Sequence, residues 1–255
     1  MPTPEGQDWP DSVPSSREEL STAFEEVIMK ICSYVIKVDL GLAPNPYWGY
    51  CSLAVCTPNH QKARLVSGDW IVGNSPAANG QKLVYAMRVD EVLDFDSYFR
   101  DPRFKRKQPN PRGSMEEQVG DNFYYREDNR WRRLPSMFHN DESFFFKDLG
   151  ADLSGRPVFV GKHFYYFGDK RINFPESFRE IIRDSQGIRY LEGILVVEFI
   201  RWLGQKYKPG MIGRPLDQPN APRFVGNMIT CLSRQNSMSS FKSAATHFGT
   251  RRGCE

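Results

Sequence analysis

The chain has 255 residues, 40% hydrophobic and 25% charged, which is enough apolar material for a packed core and too much for general disorder. Its 34 basic and 31 acidic side chains nearly cancel at a formal +3, so only local clustering of charge can argue for nucleic acid. No apolar run approaches the ~18 residues of a membrane span, the Pro-rich acidic start is unlike a secretory signal, and five cysteines without a C-x-x-C pair indicate neither a zinc site nor a disulfide framework. A reducing intracellular setting, cytoplasm or nucleus, is expected, with no membrane association, no metal and no cofactor.

Residues 1–30 form an acidic arm, with seven acids against Arg17 and Lys30. Its prolines keep the start extended, and Ser16-Arg-Glu-Glu19 reads as a capping box opening a short helix. The core begins at Ile31, and Ser33 to Val38 has strand composition. In Ala43-Pro44-Asn45-Pro46-Tyr47-Trp48-Gly49 two prolines forbid helix and stiffen the loop around Asn45. Thr57-Pro58 reads as the start of a short helix over His60 to Ala63. Gly68-Asp69 turns into a strand, Trp70 to Gly73, and Lys82 to Val92 is a further strand. Asp94 caps a helical turn bearing Phe95, Tyr98 and Phe99. Asp128-Asn129 marks a hairpin between Tyr124 and Arg133, and a second hairpin is expected from Pro157–Val160 and His163–Phe167. Phe178 to Asp184 and Tyr190 to Tyr207 read as helices, the latter by its apolar stripe. From 207 onward the chain is basic and rich in Gly, Pro, Asn and Ser, the composition of a disordered tail. The expected organisation is thus an arm 1–30, a domain 31–206 and a tail 207–255.

Four constellations carry chemistry. The stiff loop offers Asn45, Tyr47 and Trp48. Two rings can stack on a flat heterocycle while the amide reads its edge, or the same residues can plug the end of a core. Asp69 and Trp70, with Asn74 and Ser75 at the far end of the strand, are a second candidate, or merely turn formers. No Gly-Lys-Ser/Thr ending makes this a phosphate loop. Six basic residues lie between Arg100 and Arg112 against Asp101 alone. Among them Arg103, Lys105, Arg106 and Lys107, interleaved with aromatics, fit phosphate contacts or a solvated face. Asp121 and Asn122 can shape a turn or, with Asp69, serve as an acid/base set. His139 sits beside Asp141 and Glu142, but the histidine spacings match no metal ligand set. Cys51 and Cys56, in apolar strand-like surroundings, read as inert thiols.

These runs, taken in order, resemble a known family. Ser33-Tyr34-Val35, Ala43-Pro44-Asn45-Pro46, Cys51-Ser52-Leu53-Ala54, Cys56-Thr57-Pro58, Gly68 to Gly73, Leu83 to Val89, Asp101-Pro102-Arg103-Phe104, Gly120-Asp121-Asn122 and Phe164 to Gly168 resemble the second family of nucleotide modification associated domains, over about residues 31–185. That family is tied by gene context to systems that make or handle modified bases in DNA, and no reaction comes with it. A looser similarity to PUA-like barrels of the EVE and YTH type implies an α+β fold on a small, mainly antiparallel β-barrel with peripheral helices. The residues and the resemblance together lead to the expectation of a reader of a nucleotide or modified base within nucleic acid, DNA ahead of RNA. Asn45, Tyr47, Trp48, Trp70, Asn74 and Ser75 would hold the base, and Arg103 to Lys107 the phosphates. The alternatives are an enzyme of modified-nucleotide metabolism using Asp69, Asp121 and Asn122, and an interaction module without a ligand.

Overall fold

The structure, a computed structural model, describes residues 29–55, 63–136, 150, 153 and 157–218. The arm helix, most of the turn after Thr57-Pro58, His139 with its acidic neighbours, Cys56, Cys231, Cys254 and the chain beyond 218 lie outside the described residues.

The fold is α+β. Eleven strands are described: β1 (Ile31–Val35), β2 (Cys51–Leu53), β3 (Trp70–Asn74), β4 (Leu83–Arg88), β5 (Glu91–Leu93), β6 (Tyr124–Glu127), β7 (Arg130–Arg133), β8 (Val158–Gly161), β9 (Phe164–Tyr166), β10 (Ile188–Leu191) and β11 (Gly210–Met211). Helices α1 (Phe95–Arg100), α2 (Met115–Gln118) and α3 (Ile194–Lys206) accompany them, with 3-10 turns that include Pro102–Lys107. Six strands form a sheet in the order β10-β1-β3-β4-β9-β11, three form a second in the order β2-β8-β5, and β6 with β7 makes a separate ribbon. Pairing is mainly antiparallel, the exceptions being β1 with β3 and β9 with β11. The central strand β4 is buried along Leu83 to Met87, which explains why its residues are apolar on both faces.

Among the described residues these sheets do not close into a barrel. The expected hairpin of Pro157–Val160 with His163–Phe167 is also absent. Strand β8 pairs with β2 and β5, whereas β9 pairs with β4. The expected strand Lys82 to Val92 is likewise broken, and β4 and β5 belong to different sheets. Both runs therefore turn a corner at the same place, which is how one chain feeds two packed sheets. Asp90 sits at that corner. Its Oδ2 accepts from the backbone N–H of Lys162 at 2.6 Å and of His163 at 3.3 Å, while Oδ1 accepts from Arg88 Nε at 2.6 Å. Gly161 is required there, because a Cβ would lie 2.2 Å from the Arg88 carbonyl oxygen.

Other expectations are met closely. Asp94 caps α1 by accepting from Ser97 N–H at 2.9 Å. The ribbon β6–β7 turns at Asp128 and Asn129, with φ 49° and 59°. Both tolerate the left-handed region better than most residues, so the turn forms without glycine. The stretch from Tyr190 differs. Ile188–Leu191 is a strand against β1, and the helix starts only after Gly193, at φ 84°. Its inward residues Val196, Phe199 and Leu203 pack on Trp70, Tyr165 and Phe178 in one core cluster. Phe178 lies in a 3-10 turn, Glu176–Ile181, and not in an α-helix.

Residue 206 is not the end of the packed chain. β11 joins the large sheet, Tyr207 packs edge-on to Phe167, and Gln218 Nε2 donates to Tyr47 Oη at 2.7 Å. Asp39 is the anchor of this return. Its Oδ2 accepts from Leu216 N–H at 3.1 Å, its own N–H donates to Asp217 Oδ2 at 2.7 Å, and Tyr166 Oη donates to its Oδ1. The composition of 207–218 reads as disorder because its bonds are made by backbone and single polar side chains, not by an apolar stripe. A chain of residues 29–206 should therefore melt at least ~10 °C below one of residues 29–218, since several kcal/mol go with these bonds and each moves a domain of this size by about 2–4 °C. Melts within ~2 °C of each other would show that the segment adds nothing.

Burial pushes the Asp39 carboxyl up to about 6, against the Tyr166 and Leu216 bonds, and Asp217 adds to the rise. The folded chain thus holds this proton more tightly than the unfolded one. The contribution to stability is full below pH 3.8 and is lost as pH rises through 6. Between pH 7.5 and pH 5 the protein should gain about 1 kcal/mol in urea unfolding relative to Asp39→Asn. An equal pH dependence in both proteins would refute the assignment.

Candidate functional site

Two loops meet beside the small sheet. The first runs from Pro44 to Tyr50 and the second is the 3-10 helix Pro102–Lys107. Asp101 caps that helix by accepting from Arg103 N–H at 2.9 Å, with Pro102 at its first position. The loops are joined by Lys107, whose side chain is 1% exposed. Its Nζ donates to Asn45 O at 2.9 Å and to Asn45 Oδ1 at 2.8 Å. Asn45 is fully enclosed: its Oδ1 also accepts from Tyr47 N–H at 3.3 Å, and its Nδ2 donates to Val119 O at 3.1 Å. Its backbone pairs with Ser52 in both directions.

Behind this latch lies Asp121, also fully buried. Ser52 Oγ donates to its Oδ2 at 2.6 Å and Tyr98 Oη to its Oδ1 at 2.9 Å. Burial raises its pKa, while the Lys107 charge and the two hydroxyls lower it. Burial in turn pushes the Lys107 ammonium down to about 8, with Asp121 opposing the shift. Gly120 allows the approach, because a Cβ there would stand 2.4 Å from the Lys107 carbonyl oxygen. Asn122 completes the joint, with Nδ2 donating to Tyr98 O at 3.0 Å and Phe104 O at 3.2 Å. Its Oδ1 is buried without a partner.

On the outer side the loop carries Trp48, half-buried, between Tyr47 and the exposed Gly49. Trp48 and Gly49 have φ 63° and 80°. A turn with two left-handed central residues ordinarily takes Asn-Gly. A tryptophan there costs about 1–2 kcal/mol of backbone energy. The Arg106 guanidinium lies 3.6 Å from the centroid of its ring system, and its Nε1 is buried without a partner. Lys105 is exposed alongside. Tyr50 packs edge-on to Phe104 beneath them, with ring centroids 5.2 Å apart.

The expected site residues are thus only partly brought together. Asn45, Trp48, Arg106, Lys107, Asp121 and Asn122 share this joint. Tyr47 is buried in the core beneath it. Trp70 lies elsewhere, 2% exposed, stacked on Tyr165 and edge-on to His163. Asp69 ties its own turn, accepting from Lys30 N–H at 3.1 Å and Val66 N–H at 2.9 Å. Asn74 exchanges amide bonds with the Arg183 backbone, and Ser75 Oγ accepts from Lys82 N–H at 2.9 Å, closing the β3–β4 connection. Arg103 is forked between Glu91 and Asp101, each at 2.6 Å, so its charge is matched within the protein. Cys32 and Cys51 are free and buried, and burial pushes Cys32 up to about 12 and Cys51 up likewise. Among the described residues no group of three His, Cys, Asp or Glu could hold a metal, and no helix is long and apolar enough to cross a membrane.

Residues 28–221 match the family model described as nucleotide modification associated domain 2. The chain belongs to this family. The match covers both loops, the Lys107–Asp121 joint and the return of 207–218. No curated protein and no solved structure gives a match. A role in nucleotide modification systems is what the family's description carries. Ser52 and Tyr98, which hold Asp121, were not among the residues expected from sequence. A lone serine and a helical tyrosine give no local sign of a partner 69 or 23 positions away.

The joint makes a direct prediction. Lys107→Met should cost about 3–5 kcal/mol, because it leaves the Asp121 carboxylate buried without its counter-charge. Adding Asp121→Asn should restore part of that loss in a double-mutant cycle of chemical unfolding. Additive losses would show that the two charges do not interact.

Proposed function

We propose that the loop 44–50 and the helix 102–107 bind a base carried in a nucleic acid, and that the domain reads modified bases, in DNA rather than RNA, within a base-modification system. The observation that carries this reading is the strained Trp48 turn with Arg106 stacked on the indole. The indole packs against the core beside Tyr47 and also carries the Arg106 guanidinium, which a ligand can replace. The energies allow exchange. An exposed cation–π contact is worth about 0.5–1 kcal/mol, whereas base–aromatic stacking is worth about 1–3 kcal/mol. A base can therefore displace the guanidinium, which then meets a phosphate together with Lys105. The unpartnered Trp48 Nε1–H supplies a donor for an acceptor atom on the ligand. Asn45 serves as the fixed post of the loop, since its amide is spent on Lys107, Tyr47 and Val119.

The test is a titration of the full chain with nucleotides and short oligonucleotides bearing modified and unmodified bases. Trp48→Asn should weaken binding by roughly 1–3 kcal/mol, while relief of the left-handed backbone offsets lost packing and keeps stability within about 1 kcal/mol. Arg106→Gln should weaken oligonucleotides more than free nucleosides. Unchanged affinity in the folded Trp48→Asn protein would sink the reading.

A further inference from the structure

The ribbon β6–β7 stands apart from both larger sheets. It carries Arg126, Arg130, Arg132 and Arg133 against Glu127 and Asp128, and from Arg126 to Arg130 every residue is exposed. Its base is rigidly held. Tyr124 is fully buried, Tyr125 stacks on Phe99 at 4.5 Å, and the outer edge of β6 is engaged by α1. There Arg126 N–H donates to Asp96 Oδ1 at 2.7 Å, and Arg100 Nη2 donates to Arg126 O at 2.6 Å. The register sets Arg126 opposite Trp131 and Arg130 opposite Glu127. The Arg126 guanidinium covers the Trp131 ring at 4.7 Å, and Arg132 leans to Glu127 at 3.4 Å. Those pairs are held by the exposed Arg126 and Arg132 and are therefore weak, so these two arginines can exchange them for phosphates.

We infer that this ribbon is a second contact surface and that its partner is double-stranded DNA. A major groove, roughly 12 Å wide and 8.5 Å deep, admits a two-stranded ribbon, and four-residue strands, about 14 Å long at ~3.4 Å per residue, give this one the reach to enter it. Charge complementarity and the rigid anchor on α1 support the same partner. Helix α1 runs directly into the helix 102–107 that bears Lys105 and Arg106, so one strand–helix unit links ribbon and base site. The inference rests on the nucleic-acid reading above and makes its ligand a duplex, not a free nucleotide.

The full chain is titrated with a short DNA duplex, with one of its strands and with a free deoxynucleoside monophosphate, between 50 and 200 mM salt. Arg130→Gln with Arg132→Gln should flatten the duplex salt slope by about 0.9 per charge, so the affinity lost across that range shrinks about twelve-fold. Monophosphate binding should not change, and Arg130→Lys with Arg132→Lys should keep the slope. An unaltered slope in the double Gln protein, or a single strand bound as tightly as the duplex with the same dependence on these arginines, overturns the inference. Duplex binding that depends on the ribbon while Trp48→Asn leaves monophosphate binding intact would keep the ribbon and refute the base site.

Discussion

An ammonium enclosed in protein must be matched by acceptors and by a counter-charge, and Lys107 obliges the surrounding chain to supply both. Two carbonyl-type oxygens of Asn45 take its protons, and Asp121 supplies the field. Asn45 in turn fixes the loop that presents Trp48, while Asp121 draws in Ser52 from β2 and Tyr98 from α1. Four separated stretches of sequence are thereby fixed around one charge. A hydrophobic contact of the same area would tolerate sliding, whereas a donor with named acceptors does not. The position of the surface loop is therefore set from inside.

The same device recurs at Asp90 and Asp39. At each, one carboxylate accepts backbone N–H groups from a distant segment: Lys162 and His163 at the first, Leu216 at the second. Asp90 joins the bends of two runs so that each can serve both sheets. Asp39 brings the returning chain against Tyr166 and beside Tyr47, under the loop that leads to Trp48. The three acids differ in exposure, and burial raises the pKa of both Asp39 and Asp121, desolvation being the first cause in each.

Local chemistry was legible in the sequence wherever neighbours decide it. The Asp94 cap, the Asp128-Asn129 turn, the Gly68-Asp69 entry to β3 and the stiff proline loop all follow from residues within a few positions. The family too was legible, because its blocks are contiguous. What failed was what depends on distant partners. A run such as Lys82 to Val92 looks like one strand, because nothing in its alternation announces that Asp90 will accept from Lys162. Lys107 sits in a basic run and reads as a surface charge, although Gly120 and Asp121 far along the chain draw it inside. Trp70 reads as a stacking ring by type, and only the packing of α3 and β9 makes it core. The left-handed turn at Trp48-Gly49 is a further local feature that only the structure reveals, a bulky ring where such a turn ordinarily takes asparagine.

That oddity bears on whether the domain reads or reacts. Acid/base chemistry needs a carboxylate within hydrogen-bond reach of a substrate proton. Asp69 and Asp121 are both nearly or fully enclosed, belong to different parts of the core, and spend their oxygens on protein donors. For either to act, a rearrangement would have to break two or more charge-assisted bonds, each worth about 1.5–3 kcal/mol. Displacing Arg106 from Trp48 costs about 0.5–1 kcal/mol, which a stacked base returns with surplus. In the proposed reading the Trp48–Arg106 pair is the one that exchanges, and the buried acids stay with their protein donors. A low-cost exchange at a strained, rigidly posted ring is the physical profile of recognition, and it is on that profile that the proposed reader rests.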